Sequence, residues 1–174
     1  MYSSINKLTD SLASHLAKTP YTHAMTILMP AILVGKTYCR ATPRDLPELT
    51  GIIQASANEI IRYQERWHRK TRAPDAEVHF IAFAETHSKL RTERRQPHFH
   101  CMMTLLDCTP SDTCQFLKRK ISEIAKRRIG AGLNIKISPI QDSEECAFYA
   151  SKHYFEVEDA PPPFIRAKRL YHVK

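Results

Sequence analysis

His98 and His100 are separated by one residue in the run Pro97-His98-Phe99-His100. In an extended chain successive side chains point to opposite faces, so both imidazoles lie on one face and Phe99, Cys101 and Met103 on the other. Two imidazoles that close, on a rigid strand, can share one metal ion. Nine histidines make such a pair common by chance, so the surroundings decide its weight. Glu85 ends the preceding β-like run, on the same alternating face as His79, Ile81 and Phe83, and a hairpin would set it across from the pair. One carboxylate with two imidazoles leaves positions for water and a substrate oxygen, as a catalytic divalent ion requires. Hard oxygen ligands favour Mg²⁺, the imidazoles shift the choice toward Mn²⁺, and Zn²⁺ stays open. His87 competes as third ligand, and the plain alternative for Glu85 is a solvated strand end.

Farther along stands Tyr149, with Lys152 one helical turn on and on the same side. A phenol is a weak nucleophile until a nearby cation or metal favours its phenolate. The plain alternative is a tyrosine closing the core beside a solvated lysine. Tyr154 is a second candidate nucleophile, turned away from Tyr149's face by its spacing.

The elements that must carry these groups follow from periodicity and punctuation. Ile5, Leu8, Leu12 and Leu16 predict an amphipathic helix over 3–18, stopped by Pro20, and Thr22 to Leu28 is β-like. Asp45 and Glu48 suggest a capping box for a helix whose stripe is Leu49, Ile52, Ile53, Ile60, Ile61 and Trp67. Glu77 to Glu85 and Pro97 to Leu106 read as two strands too close for a crossover helix, hence an antiparallel hairpin. A helix follows Thr109-Pro110-Ser111-Asp112, burying Phe116, Leu117, Ile121 and Ile124 and ending before Gly130. Leu133 to Ile137 alternates as a strand, and Asp142 with Glu145 caps a last helix. After it, Pro161-Pro162-Pro163 forces an extended stretch into a basic tail. The order is β-α-β-β-α-β, an α+β, ferredoxin-like or RRM-like antiparallel sheet with helices on one face and the other face open.

Composition narrows the partners. The 174 residues suit one domain, and 26 Lys+Arg against 18 Asp+Glu leave a net charge of +8, which favours a polyanion. No apolar run reaches a membrane span, and no signal pattern opens the chain, so neither membrane nor export is expected. Five cysteines without CxxC spacing suit reduced thiols in a cytoplasmic setting. Asn134 and Lys136 alternate away from Leu133, Ile135 and Ile137, toward the open face. Lys89, Arg91, Arg94 and Arg95 crowd the hairpin loop and could grip phosphates, though such runs are also ordinary solvated surface. Lys118, Arg127 and Arg128 belong to a helix on the opposite face and read as surface.

Glutamate, paired histidines and a downstream Tyr-x-x-Lys, in that order on such a chain, resemble the HUH endonuclease superfamily, named for its His-hydrophobe-His motif. Within it the chain looks closest to the single-tyrosine rolling-circle replication initiators of small plasmids, phages and single-stranded DNA viruses. Pro97-His98-Phe99-His100 matches the metal motif and Tyr149-Ala150-Ser151-Lys152 the tyrosine motif, while Ala24-Met25-Thr26-Ile27-Leu28 matches the first motif loosely. The resemblance covers about residues 20–155. Neither end is accounted for by it, so the chain divides into an N-terminal amphipathic helix over 1–20, the endonuclease domain over 21–158 and a Pro-rich basic tail over 159–174. The resemblance is to single-stranded DNA enzymes. It further implies nicking and joining of single-stranded DNA at a replication origin, with or without a hairpin, through a 5′-phosphotyrosine on Tyr149. His98, His100 and Glu85 would hold Mn²⁺ or Mg²⁺, Lys152 would assist, and Asn134, Lys136, Arg94 and Arg95 would hold DNA. A host helicase and polymerase would act in trans. Two other readings are a single-tyrosine transposase of the same superfamily and a non-catalytic RRM-like nucleic-acid-binding module, which would need aromatics on the open face.

Overall fold

The computed structural model describes residues 12, 14, 16–87, 94–106, 110–151 and 163–172. Its elements are β1 (His23–Leu28), β2 (Ala31–Val34), β3 (Thr37–Arg40), α1 (Leu46–Thr71), β4 (Ala76–His87), β5 (Arg94–Met103), α2 (Pro110–Ile129), β6 (Asn134–Pro139), α3 (Ser143–Ser151) and β7 (Phe164–Leu170). Five strands make one antiparallel sheet in the order β6-β1-β5-β4-β7, and β2 with β3 makes a separate hairpin. Because β5 lies between β1 and β4, the unit β1-α1-β4-β5-α2-β6 is the split β-α-β arrangement that the sequence predicts. The chain is α+β, with its two long helices on one side of the sheet.

Period-two alternation builds that side. Met25, Ile27, Phe80, Ala82, Phe99, Cys101 and Met103 point toward Leu49, Ile52, Ile53 and Ile60 of α1 and Leu117 and Ile121 of α2. Two details of α1 differ from the sequence reading. Trp67 is only partly buried, and the last inward position belongs to His68, which is 2% exposed. His68 Nε2 donates to the Pro74 carbonyl at 2.8 Å, just after Arg72 ends the helix in the left-handed region at φ 51°. The capping box also lies one turn earlier. Asp45 accepts from the Thr42 backbone N–H at 2.7 Å and hydroxyl at 2.9 Å, whereas Pro47, in the first turn of α1, has no N–H to be capped.

The β2–β3 hairpin, which the sequence reading leaves out, turns at Gly35 with φ +63° and rests on the end of α2. There Gly130 has φ +65°, and a Cβ on it would meet the Leu33 side chain at 2.7 Å, so only glycine meets both demands. The extended chain expected after Pro163 is the edge strand β7. Phe164 sets its ring edge-on against Phe80 at 6.2 Å, and Lys168 pairs with Glu65 of α1. Arg166, Lys168 and Arg169 charge this edge, which discourages pairing with another chain. Among the described residues no helix is long and apolar enough to cross a membrane.

Among the described residues, the other side of the sheet carries only short structure. Ala147 and Ala150 of α3 sit with Leu16 and Tyr21 on Ile81, Phe83 and Met102. Residues 12, 14 and 16–18 are helical, while Ile5 and Leu8 of the predicted N-terminal helix lie outside the described residues.

Candidate metal centre and its neighbouring tyrosine

The β4–β5 register sets Glu85 directly across from His98 and Phe83 across from His100. Three site-face side chains therefore converge. Glu85 Oε2 lies 3.2 Å from His98 Nε2 and 3.0 Å from His100 Nε2, with Glu85 5% and His98 7% exposed. One ligand atom from each residue falls within 4.8 Å of the others. The imidazole rings stand edge to face, with centroids 5.1 Å apart.

A hydrogen bond behind this group identifies the tautomer. His98 Nδ1 lies 3.1 Å from the Gln96 carbonyl, which can only accept, so Nδ1 carries the proton. In the neutral ring Nε2 then presents a lone pair to a carboxylate oxygen. Two acceptors at 3.2 Å are a poor pair unless a proton or a metal ion lies between them. A backbone acceptor on Nδ1 with Nε2 turned to a carboxylate is how a metal-ligating histidine is oriented. Glu85, His98 and His100 thus fit a divalent ion in donor type, burial and orientation. Gln96, which the sequence reading passes over, supplies this support and donates from Nε2 to the Pro30 carbonyl at 2.9 Å. Its only sequence signal is its place two residues before His98.

Tyr149 reaches the group from α3. Asp142 caps this helix by accepting the Glu145 N–H at 2.9 Å, and Ser151 bonds back to the Ala147 carbonyl at 2.8 Å. The two alanines let the helix approach the sheet closely, which brings the Tyr149 ring edge-on to His100 with centroids 5.0 Å apart. Tyr149 remains 55% exposed, so its hydroxyl stays open to an incoming group.

The remaining predicted residues divide by place. Asn134 and Lys136 are exposed on β6, in register with Leu28 and Thr26 of β1. Arg94 and Arg95 open β5, so they belong to the strand and not to the loop, and their side chains lie outside the described set. His87 follows an irregularity in the β4–β5 register after Glu85. Lys89, Arg91, Lys152, His153 and Tyr154 lie outside the described residues. Arg127 and Arg128 are exposed on α2, in the layer away from Tyr149.

No protein-family model and no curated protein sequence matches this chain. Among solved structures, the chain is similar to the N-terminal nuclease domain of the minute virus of mice non-structural protein 1. The sequence identity is 7% and the TM-score 0.33, over 94% of this chain and 77% of that one. That domain is described as having Zn²⁺ coordinated in its active-site pocket and as recognising DNA at the origin of replication. A likeness this faint carries no weight for function, which rests on the residues above.

Proposed function

We propose that this protein is a divalent-metal-dependent enzyme that nicks and rejoins single-stranded DNA through a 5′-phosphotyrosine on Tyr149, initiating rolling-circle replication from an origin. The observation that carries the reading is the Tyr149 ring beside His100, itself one of three buried groups whose donor atoms converge. When bound by Glu85, His98 and His100, Mn²⁺ or Mg²⁺ would polarise a phosphate oxygen and offset charge gathering there.

The Tyr149 oxygen attacks the phosphorus in line. The bond to the 3′ oxygen breaks, that oxygen departs and takes up a proton as a 3′-OH, and the phenolic proton passes to solvent. Lys152, one turn further along the chain, positions the phosphate or biases Tyr149 toward phenolate. A 3′-OH can later attack the phosphotyrosine, remaking a phosphodiester and releasing the phenol without ATP, because the ester conserves the bond energy. Asn134, Lys136, Arg94 and Arg95 hold the strand by its phosphates and bases. Unwinding and copying fall to a helicase and polymerase supplied by the host cytoplasm.

The test is a denaturing gel of the protein with a randomised single-stranded DNA pool and Mn²⁺. A heat-stable protein–DNA adduct is expected, present with Tyr154→Phe and absent with Tyr149→Phe. An adduct that survives Tyr149→Phe moves the nucleophile elsewhere. Cleavage without any adduct identifies a water-activating metallonuclease, and the joining reading fails.

A further inference from the structure

A second binding element lies beside the metal group, on the β6 side of the sheet. Across β5, β1 and β6 the register aligns His100 with Thr26 and Thr26 with Lys136; the next row aligns Met102, Ala24 and Ser138. Strands sit about 4.8 Å apart, so Lys136 stands roughly 10 Å from His100 with one strand between them. In these two rows the site-face residues of the middle strand are Thr26 and Ala24, both short. Because α3 packs over β4 and β5, these short residues are left uncovered, and a cavity of about 180 Å³ opens above them. Its walls include His100 on one side, Lys136 and Ser138 on the other, and Cys146 and Tyr149 from α3.

Among the described residues, no carboxylate lines the cavity. Burial, and after it Asp142 and Glu145, push the Cys146 thiol up; the two carboxylates lie at the exposed start of α3. What remains is the Lys136 ammonium, the Thr26 and Ser138 hydroxyls, the His100 imidazole, the Cys146 thiol and the Tyr149 ring. We propose that this cavity is a nucleotide subsite, in which Lys136 binds the phosphate, the Thr26 and Ser138 hydroxyls meet the polar edge of the base, and Tyr149 walls the sugar. Its adjacency to the reacting phosphate rests on the nicking-and-joining reading; its occupancy by a nucleotide does not.

Cys146 gives a readout independent of catalysis. With the full-length protein free of metal, thymidine 3′,5′-bisphosphate is expected to slow alkylation of Cys146, followed by peptide mass spectrometry, by at least fivefold while leaving exposed Cys39 unchanged. Lys136→Ala should remove that protection, Lys136→Arg should retain it, and Lys118→Ala on the far layer should behave as wild type. For a single-stranded oligonucleotide, losing one phosphate contact should lower the slope of log affinity against log salt by about 0.7 in Lys136→Ala. Absence of protection in the wild type, or protection that survives Lys136→Ala, overturns the subsite. The two readings separate cleanly. Protection that depends on Lys136 without any DNA adduct keeps the subsite and sinks the nickase, whereas an adduct without protection does the reverse.

Discussion

His98 and Phe99 are adjacent in the chain and nearly equally buried, at 7% and 3% exposed, yet they belong to different worlds. Phe99 enters the layer between sheet and long helices, where Ile27 and Ala84 stand across from it on the neighbouring strands within one apolar cluster. His98 enters the opposite layer, where burial surrounds a carboxylate and a second imidazole. The same strands thus keep stability on one face and polar chemistry on the other, one residue out of step. Burial alone does not separate the two, because a dry polar cluster and a hydrophobic core are both inaccessible. What separates them is whether the groups that meet can satisfy one another unaided.

The largest expected contrast is in stability. Phe99→Ala should destabilise the fold by about 3–5 kcal/mol, the range for truncating a buried aromatic side chain, as read by urea unfolding. A loss under about 1 kcal/mol would mean that the helix-covered face is not the packed core. Next comes metal linkage. With Mn²⁺ at a hundred times its Kd, the wild type should gain about 2.7 kcal/mol, and Phe99→Leu should gain the same. A protein carrying His98→Ala and His100→Ala should gain nothing in the same titration; an undiminished gain would place the ion elsewhere.

A finer contrast concerns the carboxylate itself. Glu85→Gln keeps the side chain's shape and removes the charge that a divalent ion would meet. Mn²⁺ affinity should fall at least tenfold, read by the same linked unfolding titration. An affinity equal to that of the wild type would take Glu85 out of the ligand set.

The smallest effects are in pH dependence. Burial holds His23, on the helix-covered face, below its ordinary value of 6.5. A depressed folded value means stability that is present above pH 6.5 and lost as pH falls through the folded value. His23→Gln should make that acid limb shallower. Tyr21, on the site face, is pushed up by burial to about 12 from 10.0. Its contribution is present below pH 10.0 and lost as pH rises toward about 12, so Tyr21→Phe should extend the alkaline limb. Unchanged limbs in these variants would assign the titration to other groups.

Much of the framework could be read along the chain because it depends on local rules. Alternation assigned His98 and His100 to one face and Phe99 to the other, and the short spacing between two strand patterns implied the hairpin that faces Glu85 toward His98. The Asp142 cap needed only its neighbours. Errors arose where a side chain had a choice of partner. Asp45 turned back to Thr42, and His68 displaced Trp67 from the inward stripe, because the chain beyond α1 offered the Pro74 carbonyl.

Other features have no local signal at all. Phe164–Leu170 carries enough charge to pass for a tail, and it becomes a strand because β4 has a free edge and Phe80 a face for Phe164. The approach of Tyr149 to His100 depends on two alanines of α3 meeting Ile81, Phe83 and Met102, residues at least 45 positions earlier in the chain. Lys136 shares a row with His100 only because β1 lies between their strands. Periodicity tells which face a residue takes, since that is a property of its own backbone. Which residues share that face is set by register and packing between distant segments, and a chain read in order holds no measure of that distance.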